Sequence, residues 1–153
     1  MNSFPLNGND ANPMVNGIEG VLGIYRQTLP HIKLSGPTYF GSVLEKFKAH
    51  CQHQAGKTNW NVLLIITDGF IHDMEKTKSL LVELSELPAS VIIVAVGEDE
   101  ELEQMYELDG DKNKLVDANG KGAVRDCVQF VEYLKIKGEE SKLNEVVLGE
   151  LPN

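Results

Sequence analysis

The sequence predicts an α/β fold: a three-layer α-β-α arrangement around a mostly parallel sheet. Two apolar runs rich in β-branched residues carry that expectation. They are Val62-Leu63-Leu64-Ile65-Ile66-Thr67 and Val91-Ile92-Ile93-Val94-Ala95-Val96. Each has strand length and ends on a turn signal, Asp68-Gly69 in the first case and Gly97 in the second. Segments with helical spacing separate and flank the two runs, and strands that alternate with helices pair in parallel.

The elements follow in order. Residues 1–13 form an irregular lead-in, because Asn, Gly and Pro recur there without periodicity. Residues 14–29 read as a helix, with Val15, Ile18, Leu22 and Tyr25 spaced by three and four and Pro30 as its stop. Ile32-Lys33-Leu34 is a short extended stretch, and Gly36-Pro37-Thr38 a loop. Residues 40–54 form a second helix with Val43, Leu44, Phe47 and Cys51 on one face, and a polar stretch then leads into the strand over 60–67. That strand is expected to be buried on both faces, as apolar runs in parallel sheets are.

A third helix spans residues 73–87, with Asp73 as its N-cap and Leu80, Leu81 and Leu84 as its buried stripe. Pro88 stops it, and the second buried strand covers 90–96. A short acidic helix over 100–106 and a tight turn at Asp109-Gly110-Asp111 come next. Lys114-Leu115-Val116 reads as a short strand, and residues 124–133 as either helix or extended chain. A C-terminal helix occupies residues 141–151, within a tail of 139–153.

Composition narrows the function classes. The 153 residues suit one domain, 42% hydrophobic and 24% charged content suits a globular protein, and no apolar run approaches a membrane span. The net charge of −9 is uneven. Residues 1–60 hold three acids and five bases (+2), and residues 61–153 hold twenty acids and nine bases (−11). A nucleic-acid partner is not expected without a basic face, and direct contact with anionic lipid is disfavoured. Cys51 and Cys127 have no metal-ligand spacing and read as free thiols of a reducing, cytoplasmic location. The N-terminus has neither the basic flank nor the apolar core of a secretion signal.

Two residues are candidates for a site. Asp68 sits where a buried strand stops, and ligands of open α/β sheets bind beyond the strands' carboxyl ends. Its carboxylate can hold a hard cation or serve as an ordinary turn aspartate. Thr38 lies at the mouth of a helix, where its hydroxyl can cap the helix or give an oxygen to a cation or its bound water. Other constellations fail. The acidic turn at Asp109 has Lys114 where an EF-hand loop needs Gly and Gly120 where it needs Glu. His50 and His53 share a helix face at i, i+3, with Cys51 between them in sequence; set against a metal trio, the polar region makes them surface histidines, and Glu98 to Glu103 reads as a solvated acidic face. No nucleophile elbow, Walker loop or dinucleotide fingerprint occurs.

Gly36-Pro37-Thr38 with Phe40-Gly41, and Leu63-Leu64-Ile65-Ile66-Thr67-Asp68-Gly69, resemble the von Willebrand factor A domain. More narrowly, the chain resembles the copine family. The stretches that carry this are Phe4-Pro5-Leu6-Asn7-Gly8-Asn9, Tyr25-Arg26-Gln27-Thr28-Leu29-Pro30, Leu87-Pro88-Ala89-Ser90-Val91-Ile92-Ile93-Val94, Leu108-Asp109-Gly110-Asp111 and Arg125-Asp126-Cys127-Val128-Gln129-Phe130-Val131. They run through nearly the whole chain in the family's order.

The resemblance implies a von Willebrand factor A (Rossmann-like) fold and a metal-ion-dependent adhesion site. In such a site a divalent cation, Mg2+ or Mn2+, is held at the sheet's carboxyl edge by three loops, and a partner's carboxylate completes the shell. Thr38 matches the second-loop threonine and Asp68 the third-loop aspartate. The first-loop pattern Asp-x-Ser-x-Ser is not found, so the site is expected to be incomplete. The chain reads as a single domain over residues 1–153, matching the second half of the A domain with a copine-specific tail. The paired C2 domains that give the family calcium-dependent phospholipid binding have no counterpart here, so that property is expected only of longer parent proteins.

The first strand of this chain would lie beside the family's absent first strand, which leaves an apolar edge and suggests a homodimer through it. The expected function is a non-catalytic protein-interaction module of a copine-like signalling or trafficking protein, binding an acidic residue of a partner. The alternatives are a magnesium-assisted phosphotransferase or hydrolase centred on Asp68, and a purely structural fragment.

Overall fold

The computed structural model describes residues 3–33, 36–54, 56, 58–68, 70–97, 102–110, 113–149 and 151. Leu34, Gly69, the acidic residues 98–101 and Asp111, each given a place in the expectations above, lie outside the described residues. The chain forms two compact units, residues 1–37 and 38–153.

The first unit contains the lead-in and helix α1, Gly17–Thr28. The lead-in is irregular, as expected, but its turns are held by asparagine side chains. Asn7 Oδ1 accepts from the Asn9 N–H at 3.0 Å, and Asn9 Oδ1 accepts from Ala11 and Asn12, both at 3.1 Å. The Thr28 hydroxyl donates to the Leu6 carbonyl at 3.1 Å and ties the helix end to the lead-in. Pro30 sits in a 3-10 turn, Leu29–His31, directly after α1. No residue of α1 is buried, so the spacing of Ile18, Leu22 and Tyr25 correctly marks a helix but not a buried face.

The second unit is built on a parallel sheet in the order β1 (Asn61–Thr67), β2 (Ala89–Ala95), β3 (Val128–Glu132). Thr67 aligns with Ala95, and Ala95 with Glu132, so the three carboxyl ends lie level. Helices α2 (Gly41–His53) and α3 (Met74–Leu84) pack on each other over one sheet face. Leu44 and Cys51 of α2 and Leu80, Leu81 and Leu84 of α3 meet Val91, Ile93, Val128 and Phe130 in the core. Leu102, Met105 and Leu108, around the 3-10 turn Glu103–Glu107, close that core. After β3 come the short helix α4 (Tyr133–Ile136) and α5 (Glu140–Leu148), and α5 contacts β3. Helices, a parallel open sheet and a further helix give the three-layer α/β fold that the sequence predicts.

Three local expectations need correction. β1 is not buried on both faces. Leu63 and Ile65 pack against the core, but Val62, Leu64 and Ile66 are 45%, 53% and 67% exposed. Burial on both faces requires a neighbour over each, and β1 is the edge of a three-stranded sheet with α5 placed at β3. Lys114-Leu115-Val116 is not a sheet strand; Val116 forms one isolated antiparallel bridge to Gly122 across a turn. The ambiguous 124–133 segment resolves into the third strand, because Val128, Phe130 and Val131 pair beside β2 and are buried.

Several stretches that carry the copine resemblance serve this framework. The Arg125 guanidinium donates to the Leu87 carbonyl at 2.7 Å and to the Ala89 carbonyl, and stacks 4.8 Å from the Trp60 ring centre. One side chain thereby joins the segment before β3 to the amino ends of β1 and β2. Ser85, buried in the α3–β2 turn, accepts from the Val124 N–H at 2.9 Å.

Candidate metal site at the carboxyl edge of the sheet

Asp68 follows β1 directly and is exposed at the level where the strands end. The sheet ladder runs up to it, since the Val96 N–H donates to the Thr67 carbonyl at 2.8 Å. Gly97, after β2, faces the Asp68 backbone so closely that a Cβ there would stand 2.1 Å from the Asp68 carbonyl oxygen. Only glycine permits that approach. Thr38 is exposed in the stretch before α2, immediately after the cis Gly36–Pro37 bond.

The segment carrying Thr38 and the segment following Asp68 are joined by four hydrogen bonds. The Thr38 N–H donates to His72 Nδ1 at 3.1 Å, and the His72 N–H donates to the Thr38 carbonyl at 3.0 Å. The Phe40 N–H donates to Asp73 Oδ1 at 3.0 Å, and the Gly41 N–H to Asp73 Oδ2 at 2.8 Å. The His72 ring meets Phe70 edge-on at 4.9 Å between centroids and Tyr39 at 6.2 Å. The first bond fixes the imidazole tautomer: Nδ1 accepts, so the neutral ring carries its proton on Nε2.

Sequence reasoning missed His72 and Asp73 as organisers of this edge. Asp73 was expected to cap its own helix. It does stand at that position, but it makes no cap bond to α3 and instead accepts from the first residues of α2. A local pattern identifies a capping residue but not which helix it caps, when the second helix lies 32 positions away in sequence. A third acid at the carboxyl edge, Glu132, is buried and paired with Lys135 at 2.7 Å.

The Thr38 hydroxyl and the Asp68 carboxylate are both oxygen donors, the type that a hard divalent cation takes. Among the described residues no group of three His, Cys, Asp or Glu side chains could hold a metal ion. A cation here would therefore complete its shell from water and from outside this set.

A parallel α/β domain, with Asp68 at the carboxyl end of its first strand and the Thr38 segment hydrogen-bonded to the chain that follows, is the class of protein that the fold defines. Comparison with known proteins gives the family. The copine family model matches residues 1–153. The chain is 42% identical over 151 residues to Copine-C of Dictyostelium discoideum, covering 97% of this chain and 28% of that protein. It is 39% identical over 153 residues to Protein BONZAI 1 of Arabidopsis thaliana, covering 98% of this chain and 26% of that protein. The chain belongs to the copine family. It spans about a quarter of the length of the curated relatives it matches. Neither relative's name denotes an enzyme. No helix among the described residues is long and apolar enough to cross a membrane.

Proposed function

We propose that this chain is a non-catalytic protein-interaction module of a copine-like protein, and that it presents Thr38 and Asp68 at its sheet edge as two donors of an adhesion-type site for Mg2+ or Mn2+. The bound cation supplies a positive charge to which an acidic side chain of a partner protein can attach. Asp68 provides the anionic donor at the strand end, and Thr38 a neutral hydroxyl from the facing loop. The 72–73 segment, four residues after Asp68, ties the Thr38 loop to the chain that leaves the strand end. Two donors leave much of an octahedral shell to water and to the partner, so affinity for the cation alone is low and rises when the partner's carboxylate joins.

One observation carries this reading: the four hydrogen bonds that lock the Thr38 loop to the loop after Asp68. Two exposed oxygen donors are useful to a cation only if the loops that bear them are fixed relative to each other. Membrane recruitment through calcium and phospholipid would belong to the longer parent proteins, and the module itself would act in the cytoplasm.

Calorimetric titration of Mg2+ and Mn2+ into the folded chain tests the proposal. Saturable binding that Asp68→Asn abolishes and Thr38→Ala weakens supports it. Binding that is absent, or that survives Asp68→Asn, rejects it.

A further inference from the structure

Asp73 opens α3, yet its carboxylate is committed to the amino end of α2. Phe40 and Gly41 lie at the start of that helix, where backbone N–H groups have no partner inside the helix. Each points at one carboxylate oxygen of Asp73, at 3.0 and 2.8 Å. An anion is favoured there by charge-assisted hydrogen bonding and by the helix dipole together.

The surroundings are built for this contact. Gly41 is buried, and a Cβ on it would stand 2.7 Å from Asp73 Oδ2 and 2.9 Å from the Lys76 side chain. The buried Thr77 hydroxyl sits 3.5 Å from Asp73 Oδ1 and closes the inner side. On the outer side, Lys76 pairs with Glu45 of α2 at 2.8 Å, and its ammonium is close enough to feel the Asp73 charge as well. One residue earlier, His72 makes its two bonds to Thr38.

We infer that Asp73 is a positioning residue for the sheet-edge site: by bridging two backbone N–H groups of α2 it fixes the 38–41 segment, and so sets where Thr38 stands relative to Asp68. Asp73 itself contributes no ligand. It acts through backbone, over a route that runs from its carboxylate to Gly41 and Phe40 and on to Thr38. Its consequence for cation binding rests on the proposed site; its consequence for the loop does not.

Amide hydrogen exchange on the metal-free protein tests the loop directly. In Asp73→Ala, exchange at Thr38 should accelerate at least about tenfold while Ile93 in the core keeps its protection, and Asp73→Asn, which retains one acceptor oxygen, should fall between. Unchanged Thr38 exchange in a folded Asp73→Ala overturns the inference. If that variant does not fold, unchanged exchange in Asp73→Asn overturns it equally. In a manganese titration, Asp73→Ala should bind about 10–100-fold more weakly than the native chain, as losses of groups supporting a metal ligand do. Equal affinity overturns the positioning role. A native chain that binds no manganese rejects the proposed site, and the exchange result then decides the role of Asp73 alone.

Discussion

Gly97 and Asp68 are in backbone contact at the carboxyl edge of the sheet: a Cβ on Gly97 would lie 2.1 Å from the Asp68 carbonyl oxygen. Two adjacent parallel strands thus end with no room for a side chain between them. The position of Asp68 depends on a residue 29 places further along the chain. Gly97→Ala should displace the Asp68 backbone and cost about 1–3 kcal/mol, the usual range for overpacking. Urea unfolding measures the loss, and a stability equal to the native chain would contradict the contact.

Arg125 is expected to be a main fastening of the sheet's amino edge. Arg125→Ala removes its bonds to the Leu87 and Ala89 carbonyls and its stacking on Trp60. The expected cost is about 2–3 kcal/mol, from hydrogen bonds made by a charged group together with a cation–π contact. Arg125→Lys should recover less than half of it, because an ammonium lacks the planar fork and stacks less well. Trp60 is the single tryptophan, so its fluorescence reports both the local change and global unfolding.

Cys51 gives the chain a pH dependence above neutrality. The thiol is fully enclosed, and burial pushes its pKa above the ordinary 9.0. Below that value both the folded and unfolded forms keep the proton, and this group has no effect on stability. Above it the unfolded form loses its proton first, so stability falls as pH rises, until the folded thiol also ionises. Urea midpoints from about pH 8 to about pH 10.5 should therefore decline, and Cys51→Ala should reduce the slope. An unchanged slope in the variant would remove Cys51 as the cause.

The sequence revealed most of the sheet and little of the site's support. The runs around Ile65 and Ile93 identify strands because β-branched apolar residues at that length fit little else. Segment 128–132 was legible only as an alternative, since five residues cannot separate helix from strand by period. The exposed face of β1 was not legible: composition shows that Leu64 and Ile66 are apolar, while coverage depends on where α5 packs. Asp68 and Thr38 were visible because each stands at an element boundary. His72 and Asp73 were not, because their partners, Thr38 and Gly41, become neighbours only in the folded chain.

The outer edge of β1 pairs with no strand among the described residues. The strand Asn61–Thr67 carries no charge, in a chain of net charge −9. We propose that a second copy pairs with it antiparallel about Leu64, which sets Val62 opposite Ile66 and Leu63 opposite Ile65 and so matches the two faces. Sedimentation should show a dimer at high concentration, and Leu64→Lys, a charge on the edge, should shift it to monomer. A native chain that stays monomeric at all concentrations contradicts this pairing.

Under the proposed function, Thr38 and Asp68 share one cation. Paramagnetic broadening of backbone amide resonances by substoichiometric Mn2+ tests it most directly. A shared cation requires broadening centred on residues 38–41 and the loop after Asp68, absent in Asp68→Asn. Broadening spread over the acidic surface of residues 61–153, or unchanged in Asp68→Asn, would contradict it.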